Sequence, residues 1–407
     1  MSEKTIATKK QRNVAIELWR VIAAIAICGF HAGFIIARSA QGQTGYWMAV
    51  ESKWFFGSSE TLLIFTLTAG YFMYAHYRKA CKNPEYLQKS ATARAWEYTW
   101  ARIKSLVPVL ILGYVIGIAV STKFYYPEFG LQEYLVAVVN SIWEFLGFHA
   151  AGLRNTDGIF FNTNGVLWFI SAMIIGGYFL YWGLCKSEDF TAGFLAPFGF
   201  IFFAGWWCYT GTRAAQTAWS TFGLQTTSTN GMGGSATDAT ATLGFNNGFI
   251  FVMIGMLGGI IIYQLLELAN KHEISKTGKM WLTIANVICS VLLGWYIIYQ
   301  PTYFLLQRWT VGFLQIAVVG LTLYNKDGLT ATLNNKYTSK LLASLGSISL
   351  YIYMLHYQVA VGVLRVLGKN TEATMYSFWQ VYVPTIIVTI ILSYVTKYAM
   401  DKTILKK

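Results

Sequence analysis

Ten predominantly apolar stretches, each within the roughly 17 to 25 residues that an α-helix needs to cross a bilayer, leave this chain few folds to choose from. They run 14–37, 55–75, 104–121, 165–184, 192–210, 245–267, 281–299, 303–324, 343–366 and 379–398. The pattern predicts an all-α, polytopic membrane helix bundle. An eleventh apolar stretch, Leu131 to Phe148, is interrupted by Glu133, Asn140 and Glu144 and reads as a short helix at the outer interface. Charged residues make up only 12% of the chain, about half of what a soluble domain carries. The bilayer is therefore the partner to expect, and the net charge of +13 has to be sorted by side of the membrane before it says anything about nucleic acid, for which nothing argues.

With the N-terminus inside and ten spans, 22 of the 31 lysines and arginines fall in inner segments and 7 in outer ones, with Arg20 and Arg308 left inside the membrane. That is the bias of the positive-inside rule. Counting 131–148 as a span would invert everything after it and place basic loops on both sides. The chain thus reads as one integral-membrane domain over 1–407, multi-pass in the cell or inner membrane, with both termini cytoplasmic. It has a cytoplasmic tail at 1–13, a basic inner loop at 76–104 and a Ser/Thr/Gly-rich outer loop at 211–243. The first apolar run is too long for a signal-peptide core and lacks a small-residue cleavage pattern. The five cysteines are scattered, show no C-x-x-C and have no histidine at metal spacing, so neither a disulfide framework nor a metal is expected.

Inside the first span sit Glu17, Arg20 and His31. Ionisable groups at membrane depth are costly and are usually kept for function. Arg20 and His31 are eleven residues apart, about three turns plus 20° with a rise of about 16 Å, so they share one face at two depths. His31, as a neutral imidazole, can take a proton from a hydroxyl. Arg20 offers a forked guanidinium to an anion near the cytoplasmic surface, or pairs with Glu17 one turn earlier. Arg102 and Lys104 open the third span and suit a polyanion, or serve as ordinary positive-inside anchors. Ser349, Tyr353 and His356 form an i, i+4, i+7 polar stripe on a buried helix, either catalytic support or polar glue between helices. No Gly-rich phosphate loop, G-x-S-x-G or H-E-x-x-H is present.

Four ordered segments give the chain a likeness. ELWRVIAAIAICGFH, with Arg20 and His31, resembles the opening signature of the acyltransferase 3 family of integral-membrane acyltransferases. LIFTLTAGYFMY, with Ala69, Gly70 and Tyr71, resembles its second helix. LWFISAMIIGGYFLYW, with Trp168, is similar to its mid-chain Trp segment, and SISLYIYMLHYQV to its penultimate helix. The chain departs from the family twice. An R-x-x-R pattern reads Arg102, Ile103, Lys104, Ser105 here, and Met173 stands where many members carry Glu. The resemblance implies transfer of an acyl group, acetyl first among candidates, from cytoplasmic acyl-CoA (acetyl-CoA) to a hydroxyl of an exported or lipid-linked glycan or glycolipid. His31 would be the base, Arg20, Arg102 and Lys104 would hold the donor's phosphates, and Glu17, Trp168, Ser349, Tyr353 and His356 would support them. Two other readings stand beside it: a secondary transporter using the Arg20/His31 face as an anion and proton path, and an inactive member acting as a scaffold.

Overall fold

The structure is a computed structural model, and it describes residues 13–39, 54–55, 61–122, 129–140, 166–213, 247–299, 305–367 and 375–403. Trp168, Cys208 and Arg308 are described as backbone only. The tail at 1–12, residues 141–148 and nearly all of the outer Ser/Thr/Gly loop lie outside the described residues.

Thirteen α-helices are described, with no β-strand among the described residues. In chain order they are α1 (Ala15–Ser39), α2 (Leu62–Ala80), α3 (Pro84–Gln88), α4 (Ala91–Ile116), α5 (Leu131–Asn140), α6 (Leu167–Lys186), α7 (Ala196–Arg213), α8 (Asn247–Ala269), α9 (Lys276–Ile298), α10 (Leu305–Tyr324), α11 (Gly328–Leu333), α12 (Thr338–Val366) and α13 (Met375–Thr403). Each of the ten expected spans coincides with one of the longer helices. Seven of these, α1, α4, α6, α8, α9, α12 and α13, are long and apolar enough to cross a membrane. Of the other three, α7 and α10 appear as shorter apolar helices, and α2 ends in a charged turn with Arg78 and Lys79.

The basic inner loop is mostly helix, which the sequence reading did not anticipate. Ser90 accepts from the Ala93 N–H and caps α4, so this helix starts thirteen residues before Lys104, and Pro108 lies well inside it. Upstream, Asn83 accepts from the Glu85 N–H and, with Pro84 at the first position, starts α3. Two short π-helical segments, Gly117–Thr122 after α4 and Asp189–Leu195 before α7, are likewise not visible in the apolar pattern. The short helix expected at 131–148 appears as α5, tied to α4 by a hydrogen bond from the Tyr114 hydroxyl to the Val138 carbonyl.

The bundle has a hydrophobic core and an apolar outside. α1 lies against α12, α12 against α13, α2 against α8, and α4 against α6. Small residues permit the closest approach: a Cβ on Gly70 would run into the Met256 carbonyl, and one on Gly259 into the Leu67 carbonyl. By contrast α9 exposes Trp281, Val287, Ile288, Val291 and Leu292, the surface expected of a helix that faces lipid.

At the basic end the first and last thirds of the chain are sewn together. Asn334, just after α11, accepts from the Val14 and Ala15 N–H groups at 2.8 and 3.1 Å, so a residue 320 positions away caps α1. The Asn13 amide donates to the Thr322 carbonyl at 2.7 Å. These bonds fix the start of α1 against α10 and α11, and with it the depth of everything α1 carries.

Candidate active site

The α1–α12 contact brings the ionisable groups of the two helices together. Glu17 fits into the space left by Gly346, whose missing Cβ lets α12 approach. Arg20 donates from Nη1 to Glu17 Oε2 at 2.8 Å. Glu17 is 4% and Arg20 26% exposed at the side chain, so the carboxylate is enclosed while the guanidinium keeps access to the outside of the bundle. Of the two options the sequence left for Arg20, the pair with Glu17 is present.

Farther along, His31 meets His356: Nδ1 of His31 and Nε2 of His356 are 2.8 Å apart. Nδ1 of His356 sits 3.2 Å from the Ile352 carbonyl. A carbonyl oxygen can only accept, so Nδ1 of His356 carries the proton and its Nε2 presents a lone pair. His31 then donates its Nδ1–H to His356, and its own Nε2 carries the lone pair. His356 is fully enclosed and His31 partly accessible. Tyr357 and Phe30 pack edge-on against the His31 ring at 5.6 and 5.2 Å. The arrangement can hold one imidazole in a defined tautomer and stabilise the imidazolium it becomes on taking a proton.

Between the two levels a series of rings is packed one against the next. The Arg20 guanidinium lies 5.9 Å from the Phe65 centroid, Phe65 lies 6.2 Å from Tyr353, and Tyr353 lies 5.8 Å from His356. The Tyr353 hydroxyl donates to the Val166 carbonyl at 2.8 Å, joining α12 to the start of α6. Ser349 bonds within its own helix, to the Gly346 carbonyl at 2.9 Å, near Glu17 rather than near the histidines. Trp168 is the second residue of α6, two positions after Val166.

Arg102 and Lys104 part company. Two positions along a helix turn about 200°, so they leave α4 on opposite sides. Arg102 stacks over Tyr98 at 5.3 Å and lines a cavity of 420 Å³ with His76, Ala80, Tyr86, Arg94, Glu97, Tyr98 and Ala101. Lys104 sits over the exposed Trp100 ring at 5.5 Å, away from that cavity. His76, near the end of α2, is part of the cavity wall. Burial, then the charges of Arg102 and Lys79, hold its pKa below the ordinary imidazole value. Neither this cavity nor the histidine pair could be read from spacing alone, because each depends on which helices become neighbours.

Among the described residues no group of three or more His, Cys, Asp or Glu side chains is placed to hold a metal. Cys28, Cys81, Cys185 and Cys289 are free thiols. A family model described as an acyltransferase domain, Acyl_transf_3, matches residues 13–398, nearly the whole chain. The chain belongs to the acyltransferase 3 family. It is a membrane acyltransferase, and its helices and paired histidines have to be understood as parts of one. Comparison with curated proteins and with solved structures gives no match.

Proposed function

We propose that this acyltransferase moves an acyl group, acetyl foremost, from cytoplasmic acyl-CoA to a hydroxyl of an extracytoplasmic or lipid-linked glycan, in the plasma or inner membrane. The observation that supports this best is the histidine pair, with His356 anchored on the Ile352 carbonyl and the lone pair of His31 on Nε2. In this scheme His31 Nε2 accepts the acceptor hydroxyl proton as the oxygen attacks the thioester carbonyl. The carbon–sulfur bond then breaks, and the proton passes from His31 to the departing thiolate, so the imidazole returns to its starting state. The Nδ1–H to His356 persists throughout and stabilises the transient positive charge. No lasting base or acid is consumed, which suits a site receiving donor and acceptor from opposite sides.

Arg20 serves the donor. One N–H is committed to Glu17, and the rest of the fork can meet an anionic or carbonyl oxygen of the thioester substrate. The rise of about 16 Å between Arg20 and His31 sets the phosphate-bearing part of such a donor apart from its reacting carbon. Lys104, turned toward Trp100, is assigned to the membrane surface instead of the donor. Replacing His31 with Ala should reduce acyl transfer by about 10² to 10⁴ while the protein stays folded in detergent. A variant that still transfers acetyl at the wild-type rate would remove the base assignment.

A further inference from the structure

At the end of the bundle away from the basic loop, aromatic rings from three parts of the chain converge beside α1. Residues 54–55, which lie between α1 and α2 in sequence, are held against the end of α9. Trp54 forms an antiparallel bridge with Tyr299, and the Phe55 N–H donates to the Ile298 carbonyl at 3.1 Å. Phe55 then lies directly on Gly29, where a Cβ would come within 2.7 Å of its Cγ. It does so with φ 58°, a left-handed conformation that a bulky residue adopts only under constraint, and such strain gathers at active sites and ligand clamps. The rings form two layers. In the layer against α1, Phe55, Phe378 and Tyr382 pack together at 5.0 to 6.4 Å, and the Tyr382 hydroxyl donates to the Ile25 carbonyl at 3.1 Å. Phe378 and Tyr382 are buried. In the outer layer, Trp54 stands edge-on to Tyr299 at 6.2 Å and to Trp379 at 5.9 Å, and Trp295 reaches Tyr299 at 6.1 Å. This layer is open on one side: Trp295 is 51% and Trp379 36% exposed. Next to Trp379 along α13, Gln380 has its Oε1 buried with no partner. A buried carbonyl oxygen left unbonded is expensive, and beside an open ring it marks a place for a hydroxyl donor.

We infer that this platform is a subsite for a sugar ring of the acceptor, one that lies along the glycan from the sugar whose hydroxyl is acylated. A pyranose presents flat faces of C–H groups and a rim of hydroxyls, so it suits an exposed indole face with a hydrogen-bond acceptor beside it. Trp and Tyr supply such a face, apolar in the middle and polar at one edge, with little side-chain freedom to lose. Anchoring rings in an interfacial belt are also apolar and wet at one edge. A belt residue, however, needs neither a strained linker bridged to another helix nor a second layer of rings beneath it, and both are present here. The placement fits an acceptor longer than one sugar. Gly29 and His31 are two positions apart, about 200° of turn and about 3 Å of rise, so the platform and the histidine pair stand at one depth on opposite sides of α1. A helix with its side chains is about 10 to 12 Å across, more than a single sugar ring reaches. The inference rests on the acyl-transfer reading above, and it adds that the acceptor is a glycan of several sugars, selected by rings that stand apart from the histidines.

The test uses the full-length protein in detergent. The probes are cellohexaose, maltohexaose and hexasaccharides released from the envelope of the cells that express it, with the monosaccharide units of each as short controls. Calorimetry should show at least one hexasaccharide binding to the wild type and binding at least tenfold more weakly to Trp379→Leu. In transfer assays from acetyl-CoA, that variant should show a KM for the hexasaccharide raised at least tenfold, with the KM for acetyl-CoA and the rate on the monosaccharide within about twofold of wild type. Trp295→Leu, at the open rim and outside the layer against α1, should weaken hexasaccharide binding in the same direction and covers the case in which Trp379→Leu does not fold. Failure of every hexasaccharide to bind the wild type would overturn the platform, as would wild-type affinity in a folded variant of either kind or equal losses on hexasaccharide and monosaccharide. Hexasaccharide binding that depends on Trp379 or Trp295 in a protein that transfers acetyl to no sugar would uphold the platform and overturn the glycan-acylation reading instead.

Discussion

In the proposed scheme His356 acts through the bond it accepts. Because its Nδ1–H is spent on the Ile352 carbonyl, its other nitrogen can only receive, and this dictates which nitrogen of His31 would be left for a substrate. A side chain that works through another should show non-additive kinetics. His356→Ala should therefore lower kcat to a value between those of wild type and His31→Ala, and the double variant should be no slower than His31→Ala alone. Independent, additive losses in steady-state assays would show that the two rings do not act as a unit. At the other level, Glu17 is enclosed and bonded to the Arg20 guanidinium. Arg20→Met should cost about 1 to 3 kcal/mol in detergent melts by removing a charged partner from a buried carboxylate. Adding Glu17→Gln should recover most of that stability, and the double variant should still show a raised KM for acetyl-CoA, which separates the structural pair from the service to the donor. Arg20 and His31 were legible as one face from their spacing. The Glu17 pair was legible as one of two options, while the partner of His31 sits 325 positions away and no local pattern points to it.

Helices set these groups by how closely their backbones meet. The Ala69–Gly70–Tyr71 segment, noticed in the sequence as a likeness to a family segment, is where α2 touches the backbone of α8. Gly70→Val would push α2 off the Met256 carbonyl and displace the Phe65 ring that lies over Arg20. Overpacking of this kind costs about 1 to 3 kcal/mol, so a lower melting temperature and reduced transfer should appear together. A Gly70→Val protein with wild-type melting and activity would mean the two helices have slack that their contact does not suggest. Helix boundaries were less legible than helix existence. Apolar windows locate the part of a helix in hydrocarbon, and α4 continues more than three turns past its window because Ser90, Ala91, Ala93 and Ala95 cap and favour helix in water as well. The same extension explains why Arg102 and Lys104, read as neighbours at a helix start, diverge: inside an established helix their directions are fixed by the 100° step per residue.

At the scale of the whole molecule, one short element decides which end of the protein faces which compartment. α5 has 10 residues, about 15 Å of helix, against a hydrocarbon core of about 30 Å. It exposes Leu131, Leu135, Val136 and Val139, and its Tyr134 hydroxyl bonds to the Ile118 carbonyl of the π segment after α4. If α5 does not cross, the later helices keep the register in which the start of α1, α11 and the charged end of α2 share one end of the bundle, and that end holds both the cavity lined by Arg94 and Arg102 and the excess of Lys and Arg. Counting α5 as a span would put the start of α1 and the loop holding Asn334 on opposite sides, yet Asn334 is bonded to the Val14 and Ala15 N–H groups. The sequence contained half of this in its charge asymmetry, and the contact across 320 residues supplies the other half. A fluorescent protein fused after Lys407 should therefore fold and fluoresce on the cytoplasmic side, and an alkaline phosphatase inserted in the 211–243 loop should be active outside. A dark C-terminal fusion with an active phosphatase in its place would mean an odd number of crossings. It would also place Asn334 across the membrane from the start of α1, against the bonds that join them.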